Sequence, residues 1–324
     1  MKKFLILLYL ISSITIAQSP KWKNYPDTKK IMTIREEGNY IWIGSKGGLL
    51  NLNKTTGNII LYNKINSGLP DTWVNSIAID GKGNKWIGTY EGVHGTYGGL
   101  TKFDGTKWKV YNTLNSGLPD SVVLSTVIDD SGNKWIGTGQ GGLAKFDNTK
   151  WTIYNTSNSG LPNNYVYTIV IDGSGSKWVG TYSGLAKFDG IKWTVYNALN
   201  SGLPYNYIQA IAIDSSGNKW IGTYKGLSKF DGTKWTLFNT SNSGLPNNDV
   251  WSITIDGNGN KWIGTEKGLA KFDGTKWTIY NTSNSALPNN DIQAILIDGN
   301  GNKWIGTFGG GLVKFDGKTW TVLY

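Results

Sequence analysis

The tetrapeptide Trp-Ile-Gly-Thr, or a one-residue variant of it, occurs seven times, with its tryptophans at Trp42, Trp86, Trp135, Trp178, Trp220, Trp262 and Trp304. Successive tryptophans lie 42 to 49 residues apart. Self-similarity at this period is the mark of a propeller or a solenoid, in which one unit cannot bury its apolar face alone and neighbours must stack. Residues shared by the copies therefore build the scaffold. Residues that differ between copies are where a specific site can be written.

One copy, residues 248–285, shows the unit. Val250 to Ile255 is a β-branched run and reads as a first strand. Asp256-Gly-Asn-Gly-Asn260 is a turn, in which glycine supplies positive φ and Asp or Asn bonds the local backbone. Lys261 to Thr265 is a second strand, Glu266-Lys267-Gly268 a turn, Leu269 to Phe272 a third strand, and Lys276 to Tyr280 a fourth. Residues 281–290 make a longer connection. Four antiparallel strands with three tight turns make a propeller blade, so the expected fold is an all-β, single seven-bladed propeller over residues 31–324. A β-solenoid is the alternative, but its coils are shorter and lack three hairpin turns each.

Closure of the ring is ambiguous. Eight segments resemble a fourth strand, Trp22–Tyr25 and Trp320–Leu323 among them, against seven second strands. The short turn Asp316-Gly317-Lys318 costs little loop entropy, which favours Trp320–Leu323 as the strand completing the last blade. The piece within residues 18–30 is then surplus. The first copy is the most divergent, with Glu36 and Glu37 in place of Ile-Asp and no Trp in Ile59–Tyr62, as suits a capping unit.

Residues 1–17 read as a secretory signal peptide. Lys2 and Lys3 precede an apolar run from Phe4 to Ile16, with small residues at Thr15 and Ala17 before the cut. The run is short for a spanning helix. The expected location is secreted or periplasmic, without stable membrane insertion after cleavage. There are no cysteines, so disulfides and thiol catalysis are excluded. The net charge of +10 comes largely from lysines before each signature Trp and before each Phe-Asp. It is spread blade by blade rather than gathered into a stripe, so nucleic-acid binding is not expected.

The motif I-x-I-D-x-x-G-N-K-W-I-G-T-x-x-G-L-x-K-F-D, clearest at 213–231 and 255–273, resembles the two-component regulator propeller repeat. That repeat occurs in extracytoplasmic sensor regions of hybrid two-component systems, chiefly in Bacteroidetes. The resemblance covers roughly residues 31–324. It implies ligand recognition, often of glycan fragments, and assigns no residues. The kinase or DNA-binding output of those sensors, and the β-sandwich that usually follows their propellers, are not recognised in the sequence, so signalling by this chain alone is not expected.

One face of the blades varies. Seven residues before the repeat Asp stand Trp73, Val122, Tyr165, Tyr207, Asp249 and Asp291, and five before it Asn75, Leu124, Tyr167, Gln209, Trp251 and Gln293. Just after Gly-Thr come Tyr90, Gly139, Tyr182, Tyr224, Glu266 and Phe308. Aromatic faces beside amides and carboxylates suit sugar rings or peptides, and they belong near one channel mouth. A seven-residue insertion after Tyr90 carries the only histidine, His94, and is expected to overhang that mouth. The expected function is a non-catalytic, sensor-like module binding a glycan or other small ligand. A protein-interaction scaffold is the alternative, and a hydrolase or lyase built on Glu91, Asp249, Glu266 and Asp291 a more distant one. No cofactor or metal is implied. The repeated Asp-Gly-Asn turns offer one carboxylate each, too few for the six to eight oxygens of calcium.

Overall fold

The computed structural model describes residues 26–90 and 98–323. The proposed signal peptide, the strand-like piece Trp22–Tyr25, and Glu91 and His94 of the insertion lie outside the described residues. The described chain forms seven four-stranded antiparallel sheets, each built from four consecutive strands. Blade one runs Ile31–Glu37, Tyr40–Ser45, Gly48–Asn53 and Ile59–Tyr62, and blade seven Ile292–Ile297, Lys303–Thr307, Gly311–Phe315 and Trp320–Leu323. Blades two to six span 74–111, 123–154, 166–196, 208–238 and 250–280. The first strand of each blade lies beside the first strands of both neighbours, so the seven first strands ring the axis. Within the copy at 248–285 the four strands fall where expected, except that the third begins one residue earlier, at Gly268, and the fourth one residue later, at Trp277.

The signature tetrapeptide is a device for stacking blades. Its glycine lies under the first residue of the next blade's inner strand. A Cβ on Gly137 would sit 2.6 Å from Val166 Cγ1, and one on Gly180 2.7 Å from Ile208 Cγ2. The preceding Trp fills the space between the same two blades. Trp178, for example, is 2 % exposed among Leu185, Leu203, Ile208, Ile211, Ile221 and Phe230. In blades two to seven each indole N–H is then satisfied by the repeat Asp. Trp86 Nε1 donates to Asp80 at 3.1 Å, Trp178 to Asp172 at 2.8 Å and Trp304 to Asp298 at 2.8 Å. A buried Trp needs such a partner.

Blade seven is completed by its own fourth strand, where Phe315 pairs with Trp320 and Leu312 with Leu323. Among the described residues, blades one and seven thus meet without exchanging a strand. Gly306 closes the ring by the same contact as the other glycines, its Cβ position 2.4 Å from Ile31 Cγ2. The divergent acids of blade one replace the repeat Asp and cross the seam. Glu37 takes over the role of the repeat Asp, accepting from Trp42 Nε1 at 2.7 Å. Glu36 crosses the seam to accept the Gly299 N–H at 2.8 Å. A single 3-10 turn, Pro26–Lys29, leads into a bridge between Lys30 and Phe308.

The repeat carboxylates also set an acid limit. In Asp80, Asp129, Asp214, Asp256 and Asp298, burial works to raise the pKa, but bonds from the turn Asn, the indole and backbone N–H groups outweigh it and hold the value low. The exposed turn residues Asp104, Asp231 and Asp273 are held at about 2, chiefly by backbone N–H donors. A carboxylate whose folded pKa is depressed stabilises the fold above its unfolded value of about 3.9, and that contribution fades as pH falls through the folded value. The fold should therefore weaken steeply between about pH 4 and pH 2, read as the denaturant midpoint against pH, and Asp214→Asn should make the curve shallower. A flat midpoint across that window would show that the clamps contribute nothing.

Candidate functional site

Every inner strand carries one β-bulge near its start, and the bulge falls on a variable position. In blade four the pairing jumps from Val166 to Thr168, leaving Tyr167 unpaired. In blades five, six and seven the skipped residues are Gln209, Trp251 and Gln293. In blades one, two and three they are Met32, Asn75 and Leu124. A bulge leaves its extra residue out of the ladder and re-aims the side chain. All seven residues line one cavity of about 290 Å³ at the channel mouth, joined by Trp73, Tyr90, Tyr165 and Tyr207.

The other two variable positions flank this ring. They are the residues just outside the last pair of the first and second strands, tied by the backbone. Tyr90 N–H donates to Trp73 O at 3.0 Å, Tyr182 to Tyr165 at 3.2 Å and Phe308 to Asp291 at 2.9 Å. Tyr182, Tyr224, Asp249, Glu266, Asp291 and Phe308 stand on the rim rather than in the cavity wall. Blade one supplies Lys30 and Lys46 at these places, with Lys46 N–H donating to Lys30 O.

The aromatic side chains form a continuous arc over blades four to six. Tyr165 stacks on Tyr167 with centroids 4.4 Å apart, Tyr167 meets Tyr207 edge-on at 4.3 Å, and Tyr207 contacts Tyr182 at 5.4 Å and Tyr224 at 4.8 Å. Tyr224 then meets Trp251 at 5.5 Å. Tyr207 is nearly buried, while Tyr182 is 57 % exposed and Tyr224 36 %. Burial raises the pKa of Tyr165, Tyr167, Tyr207 and Tyr224, so all four phenols stay neutral and can donate. Opposite in the ring, Trp73 and Tyr90 meet edge-on at 4.8 Å.

Within this apolar wall some polar atoms have no partner. Both amide atoms of Gln209, and the indole N–H groups of Trp73 and Trp251, are buried without a hydrogen bond inside the protein. Such groups are uncommon in native folds and call for a partner from outside the chain, whether water or ligand.

Charge is divided around the rim. Blade one carries Lys30, paired with Asp27 at 3.2 Å, and Lys46, whose ammonium lies 3.7 Å over Trp73 and 4.7 Å over Phe308. Blades six and seven carry Asp249, Glu266 and Asp291. Burial, then Glu266, raises the pKa of Asp249. Burial also raises that of Asp291, against a 2.6 Å bond from Gln293, with Glu266 and Asp249 adding to the rise.

Sequence reasoning located the variable positions by counting back from the repeat Asp, and so missed Met32, Lys30 and Lys46, whose blade has no such Asp. Counting forward from Ser45, the equivalent of the signature Thr, would have found Lys46. The opposite face is turn chemistry. In Asp256, Oδ1 accepts from Asn258 N, Asn260 N and Asn260 Nδ2, and Oδ2 from Trp262 and Asn260 Nδ2, which occupies both oxygens.

The structure is thus a seven-bladed propeller with one mouth lined by residues that differ from blade to blade. The family model of the two-component regulator propeller matches residues 202–225, 244–267 and 286–309, so these three stretches carry that repeat. No curated protein matches the sequence. Among solved structures, the extracellular domain of the hybrid two-component system BT3049 from B. thetaiotaomicron is similar, at 24 % identity and TM-score 0.60, over 88 % of this chain and 45 % of that one. PorZ, a bacterial surface component of the type-IX secretion system of Porphyromonas gingivalis, is similar at 20 % identity and TM-score 0.71, over 90 % and 46 %. Virginiamycin B lyase from Staphylococcus aureus is similar at 16 % identity and TM-score 0.69, over 89 % and 94 %. This chain spans less than half the length of the first two. At these identities the likeness is one of fold. Among the described residues no helix is long and apolar enough to cross a membrane.

Proposed function

We propose that this chain is a non-catalytic, extracytoplasmic binding propeller of the sensor type, and that it recognises a glycan or another small polar ligand at the bulge-lined mouth. The observation that carries this reading is the ring of seven bulges, which presents seven side chains of differing chemistry to one cavity on an otherwise repetitive scaffold. The buried, unpartnered atoms of Gln209, Trp73 and Trp251 await donors and acceptors that ring hydroxyls supply. Leaving such an atom unsatisfied costs about 1–3 kcal/mol, which a matching ligand recovers. The arc of Tyr182, Tyr224 and Trp251 offers flat faces for stacking. The cavity wall holds no carboxylate and no imidazole among the described residues, and burial keeps Tyr165, Tyr167 and Tyr207 neutral, which favours binding over proton transfer.

The test is an array of glycans and peptidoglycan fragments read with wild type, Trp251→Ala and Tyr224→Ala. Each variant should bind the selected ligand about tenfold more weakly, equivalent to ~1.4 kcal/mol. No binding by wild type, or undiminished binding by both variants, would remove the mouth as the site.

A further inference from the structure

We infer that the blade-six side of the mouth selects a sugar carrying a free ammonium group, an amino sugar whose nitrogen is not acylated. This rests on the saccharide reading above and names the ligand's charge.

The first observation is three carboxylates that make no salt bridge among the described residues, in a chain whose net charge is +10. Asp249 and Glu266 sit one residue beyond the Val250–Thr265 pair, and Asp291 occupies the corresponding place in blade seven beyond Ile292–Thr307. Their hydrogen bonds are neutral ones, from Asn247 to Glu266 at 3.4 Å and from Gln293 to Asp291 at 2.6 Å. Three lysines of this face are engaged elsewhere. Lys225 lies 5.3 Å over Tyr205, Lys46 lies over Trp73 and Phe308, and Lys30 pairs with Asp27.

The second observation is independent of the acids. The cavity beside them holds the fully buried, unpartnered amide of Gln209 and indole N–H of Trp251. Trp251 follows Asp249 by two residues, and Gln293, which holds Asp291, also lines the cavity. The field of the acids therefore reaches the cavity that polar groups of a ligand would enter.

The carboxylates are not gathered for a metal, since no three acidic or imidazole groups among the described residues are close enough to hold an ion. They spread negative potential along a rim beside Tyr224 and Trp251. An ammonium there gains both Coulomb attraction and the negative faces of the rings. Lys46 and Lys30, on the far side of Phe308, repel a cation and so place the ammonium toward blade six. The same rim repels sulfated or uronic acid sugars.

Titration calorimetry of the full chain would compare a glucosamine tetramer with its amines protonated, the N-acetylglucosamine tetramer, a sulfated tetrasaccharide and a Lys-rich peptide. The glucosamine tetramer should bind at least tenfold tighter than each of the others. In the Asp249→Asn, Glu266→Gln double variant, with folding checked by circular dichroism, the ratio between the two glucosamine forms should collapse toward one. A preference that survives in the double variant overturns the inference, as does equal or tighter binding of the acetylated or sulfated sugar, which would leave the mouth a saccharide site of another charge. Tighter binding of the peptide, or no binding of any of the four probes, also overturns it. The array then decides separately whether the mouth binds any glycan.

Discussion

Trp220→Ala should remove about 3–5 kcal/mol of folding stability, the usual cost of truncating a buried large aromatic. Trp220 is 2 % exposed and packs on Leu227 of its own blade, Leu245 of the connection, and Val250, Ile263 and Phe272 of the next blade. Its ring stacks on Phe238 at 5.8 Å and carries the Lys261 ammonium at 4.8 Å. Its Nε1 donates to Asp214 at 3.0 Å, so the substitution also strips a partner from a turn carboxylate. Tyr224, four residues on, has its ring at the mouth, and Tyr224→Ala should cost less than about 1 kcal/mol, as exposed positions do. Urea denaturation followed by circular dichroism reads both. Equal losses would mean that shared and varied residues do not divide into scaffold and site.

Gly222→Ala should destabilise by about 1–3 kcal/mol or more, although it adds a single methyl. Its Cβ would fall 2.6 Å from Val250 Cγ1 and 2.9 Å from Val250 O, a backbone atom of the next blade that cannot step aside without moving the strand. Gly257→Ala is the control. It has nothing within 4 Å, and removing chain freedom from the unfolded state should leave stability unchanged or raised by up to about 1 kcal/mol. A Gly222→Ala protein as stable as wild type would show that the blades can separate slightly at no cost, against the close stacking seen at every signature glycine.

The period of the signature made the blade count and the strand positions legible, because the periodicity of apolar residues and the Gly-Asn turns are local. The mouth was legible only in outline. The positions five before the repeat Asp were visible as variable, but nothing in Tyr167, Gln209 or Trp251 alone announces a bulge. The bulge arises from how the inner strand pairs with its neighbour, as at Val166 and Thr168. The contributions of Lys30, Met32 and Lys46 were hidden because blade one replaces the repeat Asp by Glu37. The meaning of Glu36 was hidden because its partner, Gly299, is at the other end of the chain.

The seam has a consequence for ancestry. Because each blade is one unbroken stretch of chain, the unit that is copied and the unit that folds coincide. A duplication or loss of one whole repeat would leave every hydrogen-bonded strand pair in the others intact, with only the ring's curvature to readjust. In a ring fastened by an exchanged strand, the two ends are committed to each other and growth must happen between them. Every blade junction is equivalent in this respect, and the odd chemistry of blade one, where Glu36 accepts the Gly299 N–H, marks the junction at which the two ends of the ring meet.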